Sequence, residues 1–361
     1  MPLICHVITD KNVGGGGRVL LSLLSHAQNT AHSFCVLLPR GAALVPLLSA
    51  RGIRYTEIDG VEDTSFSFSS VFRFYRYFSS HPCDVIVSHA SLSARIAGRL
   101  SGVPLLLAVK HCAVGRRLGL IYRCFTDHTV AVSGNAKAFL LKKGVPSRDV
   151  SVIENGFERF SYPSEKEKRT ARASLGISEG EIAIGLSGRL SAVKGHRTAI
   201  DALSLALKKI PALSLWFLGE GEEMDALISY AHTCGVEKRV HFLGYSDKRE
   251  RFYHAIDAHI CASLDSETAS LSLAEGMSAG CPTFASDIAG NRERVSKGGV
   301  FFPPADADAL ARLFLLLDDP EKKRALSLMA RERAKALPSE RESAERFLSL
   351  LRHLLKKRLQ F

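Results

Sequence analysis

Short runs of β-branched and aliphatic residues alternate with longer amphipathic stretches along the whole chain. That rhythm restricts its folds more than any other feature. In the first half the candidate strands are 3–9, 34–38, 54–58, 84–87, 105–109, 129–132 and 150–153. The second half repeats the pattern at 182–186, 213–218, 240–243, 258–261, 283–285 and 300–302. Helical periodicity separates them, for example at 18–26, 91–100, 198–209, 222–234 and 271–278. Such alternation predicts parallel, doubly wound sheets with helices on both faces. Thirteen strands exceed the roughly ten of one open sheet, so the expected architecture is α/β with two Rossmann-like domains. A length of 361 residues agrees with two domains of roughly 150–200 residues each.

The polar stretch 158–179, rich in Ser, Lys and Glu, reads as the linker, which places the domains at 1–160 and 161–338. The final segment, 339–361, has apolar residues at helical spacing: Phe347, Leu350, Leu351, Leu354, Leu355 and Leu359. It reads as a terminal helix packed back on the N-terminal domain, with a membrane-surface helix as the alternative.

With 46% hydrophobic and 24% charged residues, the composition excludes disordered, collagen-like and disulfide-scaffold classes. No apolar run approaches the ~18 residues a membrane span needs. Residues 1–9 lack the basic start and cleavage site of a signal peptide and read as a buried strand. The eight cysteines form no CxxC pair, which suggests reduced thiols in a cytoplasm and no thiolate metal site. The net charge of +11 is uneven, since residues 1–155 hold 17 basic and 9 acidic side chains. The N-terminal half therefore faces something anionic: nucleic acid, an anionic membrane or a phosphorylated substrate.

Four residue groups suggest chemistry. Glycines 14–17 follow the first strand and open a helix, so Gly15 and Gly16 offer backbone N–H groups to a phosphate or sugar, or simply make a turn. They do not match GxGxxG, because Val19 takes the third glycine's place, and no GxxxxGK[ST] loop exists. In the turn 187–195, Arg189 and Lys194 lie five residues apart, suited to one diphosphate or to plain solvation. In 266–295, Glu267 and Glu275 flank a helix start near Leu271. That combination offers carboxylates to hydroxyls and backbone N–H groups to phosphate oxygens. Finally, His89 and His111 end N-terminal strands, where doubly wound folds place their crevice.

The turn Gly188-Arg189-Leu190 through Lys194-Gly195, the stretches 218–221, 240–244 and 290–293, and the Glu267/Glu275 pair occur in an order that resembles the GT-B retaining glycosyltransferases of family 4. The resemblance is specific over about 180–310, and looser in the N-terminal half, where the glycine run and Glu154-Asn155-Gly156 match. It implies two Rossmann-like domains facing a cleft, acceptor on the first and nucleotide-sugar on the second. By position it assigns Arg189 and Lys194 to the donor diphosphate, to which the backbone N–H groups at Gly15, Gly16 and the helix start near Leu271 are expected to add. Glu275 takes the nucleotide ribose, and Glu267 the hydroxyls of the transferred sugar. His111 stands near the reacting sugar, so His111 and Glu267 are the catalytic candidates, with His89 as an acceptor or sugar contact. The family needs no metal or other cofactor. Thr268-Ala269-Ser270 replaces the family's usual Gly-Phe-Gly, a departure that bears on the donor sugar.

The implied activity is retaining transfer onto a lipid-linked or lipopolysaccharide-type glycan at the cytoplasmic membrane face. The aromatic-basic segment 71–78, with Arg116, Arg117, Arg123, Lys142 and Lys143, fits an anionic lipid surface or an ordinary amphipathic element. No nucleic-acid-binding motif accompanies it. The alternatives are a nucleotide-sugar epimerase of related fold or a non-catalytic basic binding protein.

Overall fold

The computed structural model describes residues 1–27, 32–111, 119–265 and 267–359. They form two compact units, one comprising Met1–Gly156 with Pro338–Phe361 and the other Phe157–Leu337. Each unit is built on a wholly parallel sheet.

The first sheet contains β1 (Leu3–Ile8), β2 (Ser33–Pro39), β3 (Tyr55–Ile58), β4 (Val85–His89), β5 (Leu105–Lys110), β6 (His128–Ala131) and β7 (Val150–Val152). Their spatial order is β3-β2-β1-β4-β5-β6-β7. The second contains β8 (Ile182–Ser187), β9 (Leu213–Leu218), β10 (Val240–Phe242), β11 (Ala258–Cys261), β12 (Thr283–Ser286) and β13 (Val300–Phe302), in the order β10-β9-β8-β11-β12-β13. All thirteen expected strands form within two residues of their expected ends. Central strands such as β4 are buried along their whole length, because helices cover both faces of a parallel sheet. In each sheet the strand order reverses once, at β1/β4 and at β8/β11. Ligand sites of doubly wound folds lie beyond the carboxyl ends of strands at such a point.

The stretch 158–179, expected as the linker, lies inside the second unit. Its centre is the helix Glu165–Leu175, started by a capping box in which Ser164 and Glu167 satisfy each other's backbone N–H. Charge-rich composition reflects its mostly exposed surface, whereas Ala171 is buried and Arg172 reaches inward. Arg172 and Lys168 both meet Asp257, which is buried at the start of β11, at 2.9 and 3.1 Å. Lys323 from the helix Pro320–Lys335 and the Ala183 backbone N–H complete the set. Burial opposes the Asp257 charge, but Lys323 and Lys168 outweigh it and hold the carboxyl well below its ordinary range.

In the first unit the terminal helix Glu340–Leu359 lies against the helix Gly15–Ala27. Phe347, Leu348 and Leu351 are buried, and Leu350, Leu354 and Leu355 are half-buried. Its apolar face is thus taken up by the protein itself, each large side chain contributing roughly 1.5–3 kcal/mol by burial. The helix Phe68–Ser80 behaves differently. It buries Phe74 and Phe78 but leaves Phe68 and Phe72 81% and 61% exposed, with Phe66 and Tyr75 exposed beside them.

Candidate functional site

In the second unit, β8 runs out into the turn that carries both expected cations. Leu190 is buried and anchors the turn, while Arg189 is exposed. After a short helical turn, Ala192–Lys194, comes Gly195 with φ +70°. A Cβ there would lie 2.0 Å from the Ala262 carbonyl oxygen, so only glycine lets the turn cross the end of β11 this closely. The crossing puts the Lys194 ammonium against the Glu267 carboxylate in an ion pair. Ser263 Oγ donates to the same carboxylate oxygen at 3.0 Å. Burial works against the Lys194 charge, yet Glu267 more than offsets it, so the ammonium's pKa is raised, with the Arg189 charge pushing the other way. The sequence-predicted Arg189, Lys194 and Glu267 therefore share one electrostatic neighbourhood.

The helix Leu271–Ser278 begins beyond this pair, with Ser270 as its N-cap accepting from the Leu273 N–H. Gly290 packs on the preceding loop: a Cβ there would fall 1.9 Å from the Glu267 carbonyl oxygen. Asn291 is buried and donates to the Ser286 carbonyl at 3.0 Å, and Arg294 Nε donates to the Ser270 carbonyl at 3.1 Å. The segment 290–294 is thus the floor that holds the Glu267 loop in place.

Glu275 occupies the inner side of the same helix and is 0% exposed. The Tyr253 hydroxyl lies between the Ser272 carbonyl at 3.2 Å and Glu275 Oε2 at 3.4 Å, and Arg249 Nη2 lies 3.7 Å from Oε1. Arg249 also meets Glu158 at 2.7 Å. The carboxylate expected to face a ribose is therefore enclosed by two residues of the helix Arg249–Ala255. Sequence reasoning missed both. Arg249 and Tyr253 lie far from the Glu275 helix in sequence, and only an amphipathic pattern marks them.

In the first unit, Gly15 opens the helix Gly15–Ala27, and a Cβ at Gly15 would meet nothing within 4 Å among the described residues. A Cβ at Gly16 would lie 3.5 Å from the His111 ring, so the expected glycine run and His111 do come together. His111 Nε2 is 2.9 Å from His89 Nδ1, and His89 Nε2 is 3.1 Å from His6 Nδ1. The sheet register explains the chain. Ile8 of β1 lies opposite His89, and His89 opposite Val109 of β5. His6 is two residues before Ile8 and His111 two after Val109, so all three side chains share a face and step diagonally across the strands. Burial disfavours the charged imidazoles: His6 falls to about 3, His111 to about 4, and His89 well below its ordinary value. His6 was not singled out from the sequence; its signal, a lone histidine inside an apolar strand, does not identify its partner.

Gly15, Gly16, His89 and His111 belong to the first unit, and Arg189, Lys194, Glu267, Leu271 and Glu275 to the second. Of the expected basic surface, Arg123 and Lys142 are exposed and Lys143 half-buried, whereas Arg116 and Arg117 lie outside the described residues. Among the described residues no helix is long and apolar enough to cross a membrane.

Comparison with known proteins adds sequence and fold likeness. The model of glycosyl transferases group 1 matches residues 167–333, and that of glycosyltransferase family 4 matches residues 13–159. The chain is 27% identical over 218 residues to the putative glycosyltransferase EpsD of Bacillus subtilis, covering 58% of this chain and 56% of that one. It is 30% identical over 143 residues to the lipopolysaccharide core biosynthesis glycosyltransferase LpsE of Rhizobium meliloti, covering 39% and 41%. The chain thus matches a little over half the length of the first relative and less than half of the second. Its fold resembles Anabaena Alr3699/HepE crystallised with UDP-glucose, with TM-score 0.85 at 20% identity over 98% of this chain and 100% of that one.

Proposed function

This chain belongs to the GT-B glycosyltransferases of group 1 and family 4, and on that premise we propose that it moves a sugar, with retention of anomeric configuration, from a nucleotide-sugar to a glycan acceptor. One observation carries the reading: Lys194 paired with Glu267 at the end of β8 and β11, with Arg189 beside them and a helix start beyond. A departing nucleoside diphosphate develops negative charge. Arg189, Lys194 and the N–H groups near Leu271 stabilise that charge without rearranging, the electrostatic contribution that usually dominates such catalysis. Glu267 accepts hydrogen bonds from hydroxyls of the transferred sugar, and Glu275 holds the ribose once Arg249 or Tyr253 yields it an oxygen. The leaving phosphate takes the acceptor's proton. These cations suffice without a resident metal, so turnover is expected to survive a chelator.

The first unit takes the acceptor side. Of its residues, Gly15 and Gly16 offer backbone N–H groups to the donor diphosphate, His111 is assigned to the reacting sugar, and His89 to an acceptor or sugar contact. We place the acceptor among lipid-linked or lipopolysaccharide-type surface glycans. The exposed Phe66, Phe68, Phe72 and Tyr75, with Arg76 stacked 5.9 Å over the Phe72 ring, favour work at an anionic membrane surface. The direct test is a thermal-shift screen of UDP-, GDP- and ADP-sugars, since a ligand that binds only the native state raises Tm. One of them is expected to do so and then to yield a product of unchanged anomeric configuration by NMR. No shift with any donor overturns the reading.

A further inference from the structure

We propose that His6 and His89 are positioning residues that hold His111 in the tautomer protonated at Nδ1. The three imidazoles form two N···N hydrogen bonds, of 3.1 and 2.9 Å, and each bond needs one proton. Deep burial keeps the middle ring, His89, neutral, so it has one proton to donate and one nitrogen to accept with. Both bonds must therefore run in the same direction, either toward His111 or toward His6. The two ends of the chain decide which.

At the inner end, bonds running toward His6 would leave an N–H on His6 Nε2. That atom is buried and has no hydrogen-bond partner among the described residues, and the ring lies among Phe34 and Phe347 at centroid distances of 6.0 and 6.1 Å. A buried N–H without an acceptor is among the rarest groups in folded proteins, rarer than an acceptor left unused. At the outer end, His111 Nε2 lies 3.5 Å from where a Cβ of Gly16 would be, in the first turn of the helix Gly15–Ala27. The partial positive charge of a helix N-terminus favours an accepting nitrogen there over an N–H. Both ends select the same direction. His6 Nδ1–H donates to His89 Nε2, His89 Nδ1–H donates to His111 Nε2, and the His111 proton resides on Nδ1.

A buried residue on β1 thereby decides which His111 nitrogen carries the proton, as the orienting member does in other hydrogen-bonded catalytic chains. The consequence for turnover rests on the sugar-contact reading of His111; the tautomer does not, and it is measured on the free protein. Long-range 1H–15N NMR of the histidine-labelled chain is expected to show His6, His89 and His111 all protonated at Nδ1. An Nε2-protonated His111 in the unaltered protein overturns the proposal, whatever the variants do. His6→Leu is expected to move the His111 nitrogen signals and to lower kcat by about tenfold or more, with the donor KM within about twofold. His6→Asn places an amide N–H near the lost Nδ1 and is expected to restore both. An unchanged His111 spectrum in His6→Leu also overturns it. If the unaltered protein transferred sugar from no donor, the functional reading would fall while the tautomer result stood.

Discussion

The two units share a topology and differ in the chemistry at its reversal point. At β1/β4 the polar side chains are three neutral imidazoles in sequence, with ring centroids 5.5 and 5.2 Å apart. At β8/β11 they are ions: Lys194 with Glu267, and Arg249 with Glu275. The parallel sheet sets where a ligand can bind, and the loop residues set what kind of ligand. A neutral hydrogen-bonding bed suits hydroxyls, whereas a site of fixed charges suits a diphosphate. The ionic character of the second unit even extends to its framework, where Asp257 gathers Lys168, Arg172 and Lys323.

Asp257→Ala strikes the comparison hardest. It leaves three cations without their buried partner, and breaking such a network costs about 3–5 kcal/mol. Denaturant unfolding is expected to show that loss in the second unit, while the His111 NMR signals of the first stay in place. A loss under about 1 kcal/mol would mean the framework does not depend on the cluster.

The next break separates the two units by ligand. Lys194→Ala and Arg189→Ala are each expected to weaken nucleoside diphosphate binding by about tenfold or more, since charge-assisted bonds to phosphate contribute roughly 1.5–3 kcal/mol. His6→Leu should leave that affinity alone. Calorimetry with UDP, GDP and ADP measures both, and unchanged affinity in the two cation variants removes the diphosphate assignment.

Within the second unit, Glu275→Gln is expected to weaken free nucleotide several-fold, and Glu267→Gln to spare nucleotide but slow turnover of the whole donor. Identical behaviour of the two variants toward nucleotide and nucleotide-sugar would end that division of roles.

Acid sharpens the comparison from the neutral side. His6 and His111 have folded-state values near 3 and 4, below the ~6.5 of an unfolded histidine. The unfolded chain therefore binds protons first as pH falls. The stability these groups contribute is complete above about 6.5 and is lost toward about 4. Denaturant midpoints should drop between pH 7 and 5, and His6→Leu should make the slope shallower by about 1–2 kcal/mol over that interval. An equal slope in the variant would show that His6 is not held neutral.

The smallest effect concerns the exposed aromatics. Co-sedimentation with anionic but not neutral vesicles is expected, fading as the Debye length shrinks from ~10 Å at 0.1 M salt to ~3 Å at 1 M. Phe68→Ser/Phe72→Ser or Arg76→Glu should weaken it, each basic group near the lipid contributing about 1 kcal/mol. Failure to bind either vesicle type would detach the aromatic face from any membrane role.

The amino-acid order alone marked thirteen strands, several of the helices between them, the glycine-opened first helix, and the turn carrying Arg189 and Lys194. These follow from periodicity and from turn chemistry, which act over a few residues. It also marked His89, His111, Glu267 and Glu275 by residue type and position in the strand–helix rhythm. Tertiary structure alone decided the strand order, and with it which loops meet at each reversal point. It anchored the helix at 165–175, in the stretch expected as a linker, on Asp257, a partner some 85 residues along the chain that its own composition does not reveal. It enclosed Glu275 between Arg249 and Tyr253. And it joined His6 to His89, 83 positions away, and His89 to His111, 22 positions away. The physical reason is one: local sequence sets a strand's pleat and which residues alternate, but pairing register depends on contacts between segments far apart in the chain. A one-residue slip of β4 against β1 would turn His89 to the opposite face and break the chain of imidazoles.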